Sequence, residues 1–302
     1  MSLELALIFL NVVTPVFGPV LLGYLSAKPL QLEARTLSRA AYYLLVPAFT
    51  FNVMSSAELA AAQALQMVGY MLLVTLGMAL LGVLTGRLLR RPASVVAAYL
   101  LIAVFGNVGN FGFPLIEFGL GEAALPAATV YFLVITFVSF VLGVAAANYV
   151  RGGNMAALLA VFKTPALLAL VPALIVNWFD WPLPLVLTRI IGLLAGAMIP
   201  VMLIALGVQL AQTRSLRLSY DLLVATALRL LGGPLLAFLL ITPFTLDETA
   251  RGAGIMQASM PAAVLTSIIA LEYDLEPEFV THAVLFSTLV SVVTLTILLT
   301  II

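Results

Sequence analysis

What most limits the fold of this chain is a near-continuous series of apolar runs, each about 20 residues long and separated by short polar turns. A helix rises about 1.5 Å per residue, so roughly 20 residues cross a hydrocarbon layer ~30 Å thick. Windows of that length lie near 4–25, 37–55, 64–86, 93–116, 125–147, 156–177, 187–209, 219–241, 251–271 and 280–301. Hydrophobic residues make up 64% of the chain and charged ones 9%. A water-soluble domain carries about 45–50% and about 25%. The expectation is an all-α integral membrane protein of ten transmembrane helices, because helices satisfy their own backbone groups in lipid. The first run is read as a span rather than a cleaved leader, since Met1-Ser2-Leu3-Glu4 lacks a basic side chain and the run exceeds a usual signal core.

Thirteen basic and thirteen acidic residues cancel, and their scatter through short turns leaves no face for nucleic acid. There is no cysteine, and the single histidine, His282, falls at a loop-to-helix boundary as an interfacial residue. Thiolate chemistry and an imidazole-rich metal centre are thereby excluded, and no cofactor is expected. Neither an HExxH motif nor paired mid-span carboxylates point to an enzyme. Lys28, Arg35, Arg39, Arg87, Arg90, Arg91, Arg151, Lys163, Arg214 and Arg217 lie at odd-numbered turns, against Arg189 and Arg251 at even-numbered ones. Basic loops stay inside, which places the odd turns in the cytoplasm, both termini outside it and the chain among the lipids of the cytoplasmic (inner) membrane. Glu272, Asp274, Glu276 and Glu278 at the last odd turn do not offset this, because acidic residues carry little of the orientation signal.

The two halves echo one another. Thr14-Pro15 recurs as Thr164-Pro165 at an offset of 150, Pro47 as Pro200 at 153, and Pro114 as Pro261 at 147. This predicts two five-helix repeats, 1–150 and 151–302, and an odd number of crossings gives them inverted topology. Interrupted helices in corresponding positions then mark a central site.

The fourth run, Gly106-Asn107-Val108-Gly109-Asn110-Phe111-Gly112-Phe113-Pro114-Leu115, is poorly suited to a regular helix, and a break is expected near Gly112 and Pro114. In the ninth, Pro261 follows Met256-Gln257-Ala258-Ser259-Met260 and leaves the Ala258 and preceding carbonyls to be satisfied by a partner or solvent. Crossing of the two would bring half-helix N-termini, which attract anions, together near the midplane. Asn107, Asn110 and Gln257 add amide donors and acceptors there, for substrate or ion contact or for helix-to-helix bonding. Arg229, eleven positions into the eighth run, bears an insertion cost of about 2.5–3.5 kcal/mol. It calls for a cavity, a carboxylate or carbonyls, and is a candidate gate or anion attractor as well as a structural anchor. Glu117 is the nearest carboxylate for proton coupling. Gly82-x-x-x-Gly86 and Gly192-x-x-x-Gly196 read as close-packing surfaces within the bundle, or as a homodimer seam. Trp178 and Trp181 read as interface anchors.

The segment Gly106 to Leu115, together with Met260-Pro261-Ala262-Ala263, Tyr273 and Ser287-Thr288-Leu289, resembles the auxin efflux carrier family, including its bacterial malate and malonate permease-like members, within the bile acid, arsenite and auxin transporter superfamily. The resemblance runs over nearly the whole chain. It implies two inverted repeats with crossed, interrupted helices 4 and 9, a scaffold of helices 1, 2, 6 and 7, and a transport domain of helices 3–5 and 8–10. It also implies that Pro114 and Pro261 are the crossing prolines and that Asn110 faces substrate. The connection around Asn148 to Asn154 is short, unlike the large cytoplasmic loop of the plant carriers.

These readings converge on a carrier of a small organic anion, working by alternating access of an elevator kind. Asn107, Asn110 and Gln257 would orient the solute, Asn52 would complete the polar lining, and the ends near Gly112, Pro114 and Pro261 would supply positive potential. A channel for small solutes and a non-transporting receptor are the competing readings.

Overall fold

A computed structural model of the chain describes residues 7–151, 165–212 and 217–302. Glu4, Lys163, Thr164, Arg214 and the Asn154 end of the connection between the fifth and sixth runs lie outside the described residues, as do the side chains of Arg151 and Glu272. Everything described is helix and turn, apart from one antiparallel backbone bridge between Gly106 and Ala262.

The helices are α1 (Phe9–Ala27), α2 (Ala34–Ala40 continuing through Val46–Ser55), α3 (Ala61–Leu88), α4a (Ala93–Val104), α4b (Val108–Gly112 continuing through Phe113–Leu120), α5 (Leu125–Arg151) and α6 (Pro165–Trp178). They continue as α7 (Leu185–Gln212), α8 (Tyr220–Leu240), α9a (Glu248–Ala258), α9b (Val264–Glu272) and α10 (Pro277–Leu299). Five of these, α1, α3, α7, α8 and α10, are long and apolar enough to cross a membrane, and Ala93–Val104, Glu122–Val138 and Pro165–Trp178 are shorter apolar helices. Their outward faces carry leucine in place of charge, with Leu76, Leu193 and Leu235 all exposed. Water would penalise such a surface, whereas lipid does not.

Proline shapes four of the helices in one way. Single π-helical turns occupy Phe9–Val13, Ala41–Leu45, Val108–Gly112 and Leu228–Gly232, and each precedes a proline by two residues: Pro15, Pro47, Pro114 and Pro234. A proline has no N–H to donate and collides with the carbonyl one turn back, so widening that turn removes the collision without ending the helix. This corrects the expectation of a break near Gly112 and Pro114: α4b runs through both, and the chain leaves helical geometry earlier, over Phe105 to Asn107.

Packing divides the helices into two groups. α1 lies along α7, and α2 packs on α6 and α7. The α1–α7 approach depends on glycine, because a Cβ at Gly207 would stand 2.7 Å from the Tyr24 nitrogen and nearer still to the Val20 carbonyl oxygen. Asn177 at the end of α6 donates to the Ser55 and Ala57 carbonyls at 3.2 and 3.0 Å, pinning α6 to the turn after α2. In the second group α3 packs on α4a, α5 and α8, while α10 packs on α8, α9b and α4a. Gln63 ties the start of α3 to the turn before α9a by donating to the Thr245 carbonyl at 3.0 Å and accepting from the Asp247 N–H at 3.1 Å. At the other end, Arg91 pairs with Asp221 at 3.0 Å and the Tyr99 hydroxyl donates to the same carboxylate at 2.8 Å. The Gly82-x-x-x-Gly86 surface faces α4a, with a Cβ at Gly82 falling 3.0 Å from the Tyr99 carbonyl.

Candidate functional site

Two features stand out: a crossing of interrupted helices inside the second group, and a cavity between the two groups. α4a stops at Val104 and α9a at Ala258, and the extended residues that follow pair with each other. The Asn107 N–H donates to the Pro261 carbonyl, and the Ala263 N–H donates to the Phe105 carbonyl, both at 2.7 Å. The Ala262 N–H is taken by the Ser287 hydroxyl of α10 at 3.1 Å. Two breaks that would each be intolerable alone thus satisfy one another.

The carbonyls left at the ends of α4a and α9a converge on Arg229. Its Nη1 donates to the Ala103 and Val104 oxygens at 2.7 and 3.5 Å, its Nε to Met260 at 2.7 Å and its Nη2 to Ala258 at 3.1 Å. Arg229 is buried, 3% exposed, and a side chain on Gly106 would run into its guanidinium. Gln257 is fully buried, with its Nε2 on the Ala128 carbonyl at 3.3 Å and its Oε1 without a protein partner, close against Gly112. Asn107 is also buried, and its Nδ2 is likewise unpartnered. Asn110 is partly buried and Pro114 and Pro261 are fully packed.

The cavity, about 800 Å³, is lined in part by the turns after α2, α4b and α8, all even-numbered. Its walls come from both groups: Asn52 of α2, Ser56 just past its end and Gly192, Gly196 and Pro200 of α7 on one side, with Glu117, Pro126 and Thr249 on the other. The Gly192-x-x-x-Gly196 pair therefore does not pack helices together as expected. A Cβ at either position would meet nothing within 4 Å, because these glycines widen the cavity. Four carboxylates, those of Glu58, Glu117, Glu122 and Asp247, lie on its lining, and among the described residues no lysine or arginine does. Asp247 also caps α9a by accepting the Ala250 N–H at 2.7 Å.

A row of aromatic rings runs from the cavity wall into α4b. Phe49, which lines the cavity, meets Phe113 in a tilted contact with centroids 4.8 Å apart, and Phe113 meets Phe132 in the same way at 5.3 Å. Phe17 of α1 meets Phe111 edge-on at 5.1 Å. The residues expected to contact solute thus fall in two places: Asn52 lines the cavity, whereas Asn107, Asn110, Gly112, Pro114, Gln257, Pro261 and Arg229 do not, and belong to the crossing or its flanks. Sequence reasoning missed Glu58, Glu122 and Asp247. The signal was present, since all three stand at even-numbered turns, but acidic residues weigh little in topology and were passed over.

A family model described as membrane transport protein, that of the auxin efflux carriers, matches residues 8–154 and again residues 150–299. The chain belongs to this family. As a member of it, the chain is a multi-pass membrane transport protein rather than an enzyme, with a small-molecule substrate and one family match per half. An "Uncharacterized transporter" of Methanothermobacter thermautotrophicus is 29% identical over 290 residues, covering 91% of this chain and 92% of its own. A protein of Rhizobium meliloti named "Putative malonate transporter" is 26% identical over 298 residues, 95% of this chain and 93% of the other. An "Uncharacterized transporter" of Methanocaldococcus jannaschii is 22% identical over 291 residues, 92% and 94% respectively.

Proposed function

We propose that the chain carries a small organic anion, of the carboxylate class to which malonate belongs, across the cytoplasmic membrane by alternating access. Ten crossings in two inverted repeats, 1–150 and 151–302, with both termini outside, agree with the distribution of basic residues. α1, α2, α6 and α7 form the scaffold, and α3–α5 with α8–α10 form the moving domain, an arrangement supported by the two packing groups.

The single observation that carries this reading is a cavity between the groups, lined by residues of three even-numbered turns and by Phe49, whose ring meets Phe113 of α4b. A carrier caught open to one side has this form, whereas a channel needs a continuous passage. Beyond these rings, the N-termini of α4b and α9b supply unbonded N–H groups and positive potential. The unpartnered Asn107 amide adds a donor, and Asn110, partly buried, follows three residues on in α4b. Solute therefore binds at the crossing once the aromatic layer parts, while Asn52 and the acidic rim form the approach. Membrane potential suffices to drive an anion outward, at about 2.3 kcal/mol per charge per 100 mV.

The test is counterflow of labelled malonate and related mono- and dicarboxylates into liposomes holding purified protein, with potential, pH and sodium gradients imposed in turn. Saturable flux accelerated by unlabelled acid on the opposite face is expected. Unsaturable conductance would establish a channel, and binding without flux a receptor; either outcome ends the carrier reading.

A further inference from the structure

We propose that the Arg229 guanidinium is a built-in cation, seated where a coupling ion would otherwise be needed, so that the crossing is electrostatically complete without sodium. The C-terminal ends of α4a and α9a each concentrate negative partial charge and both face one buried space. In carriers with broken helices such ends hold the coupling cation. Here four carbonyls from those ends, Ala103, Val104, Ala258 and Met260, are taken by one side chain from a third helix. None of the hydrogen-bond partners of Arg229 is a carboxylate, so its charge is balanced by peptide dipoles, as a metal cation's would be. The planar fork, with donors pointing three ways, spans oxygens on both chain breaks, which a lysine's point charge does not reproduce.

Two further features make this a seat fitted to a guanidinium. Gly106 lies against the guanidinium with no space for a Cβ, so the bridge between the two breaks leaves room for this group only because residue 106 lacks a side chain. Arg229 also lies in the π-helical turn Leu228–Gly232, whose extra width goes with Pro234. α4a, α8 and α9a pack as one group. In the carrier reading above, on which this consequence rests, the cation travels with the moving domain and never exchanges with solution. Sodium then has no part in the cycle at this position.

The test has a flux-free arm and a flux arm. Purified wild-type protein is melted in sodium chloride and in choline chloride of equal strength, and the melting temperatures are expected to agree. Arg229→Ala is expected to melt roughly 6 °C or more lower, since it orphans several buried carbonyls at once. Guanidinium chloride at about 10 mM, well below the molar denaturing range, is expected to recover at least half of that loss and to leave the wild type unmoved. Arg229→Lys, which keeps charge but not the fork, should fall between the two and replaces the alanine variant should that fail to accumulate. In liposomes, wild-type malonate counterflow should be equal in sodium and choline, and guanidinium should raise the flux of the alanine variant several-fold.

Saturable stabilisation of the wild type by sodium over choline would overturn the proposal. So would an Arg229→Met variant that melts like the wild type, or an alanine variant indifferent to guanidinium. Absence of any wild-type carboxylate flux would count against the carrier reading alone, because the melting arm does not depend on it.

Discussion

Helix α7 offers a paired perturbation, because two glycines on it meet opposite surroundings. At Gly196 a Cβ would find nothing within 4 Å, whereas at Gly207 it would press on the backbone of α1 at Val20 and Tyr24. Replacing a helical glycine by alanine gains up to about 1 kcal/mol by restricting the unfolded chain. Gly196→Ala should realise that gain and melt roughly 2–4 °C above the wild type. At Gly207 the obstacle is backbone, which no rotamer change relieves, so an overpacking cost near the upper end of about 1–3 kcal/mol applies. The net loss is about 2 kcal/mol, or roughly 4–8 °C. Gly196→Phe should then separate stability from transport. Its ring projects into the cavity of about 800 Å³, leaving the fold intact while reducing malonate counterflow tenfold or more, a penalty of about 1.4 kcal/mol. The assays are thermal melting in detergent and counterflow in liposomes at matched protein density. A Gly196→Ala variant as unstable as Gly207→Ala, or a folded Gly196→Phe variant with wild-type flux, would refute the assignment of this face of α7 to the solute path.

Other outcomes follow from the same geometry. Asn110→Ala should reduce counterflow more than membrane abundance, measured by quantitative blotting beside flux; equal losses would assign Asn110 to folding. Phe49→Ala removes an aromatic contact worth about 0.5–1.5 kcal/mol and thins the layer over the crossing. It should raise uncoupled leak of labelled acid from preloaded liposomes, and an unchanged leak would deny the ring its barrier role. Glu58→Gln with Glu122→Gln strips half of the cavity carboxylates, both exposed. The KM for anion offered from that side should fall by a few-fold at low salt, and the difference should shrink near 0.15 M, where screening acts over about 8 Å.

Much of the fold was legible because its strongest signals are local. Each apolar window announces a segment that lipid accepts, whatever the rest of the chain does. Family membership was legible in the glycine, asparagine and proline pattern of Gly106 to Leu115. Proline positions were legible as well, but their consequence was not: Pro114 is absorbed by a widened turn, while the break moves to Phe105–Asn107, where the extended residues around Ala262 supply its partners.

The residues alone determined that the chain is helical, apolar on its outside, duplicated in pattern and furnished with polar groups in its fourth and ninth runs. Only the tertiary structure decided that the two breaks satisfy each other, that Arg229 closes four carbonyls from another helix, and that Gly192 and Gly196 face open space while Gly207 faces backbone. Hydropathy and helix propensity belong to a residue and its near neighbours in sequence. A donor for an orphaned carbonyl, or the space beside a glycine, belongs to whichever helix happens to lie across from it, and no local property of the chain names that helix.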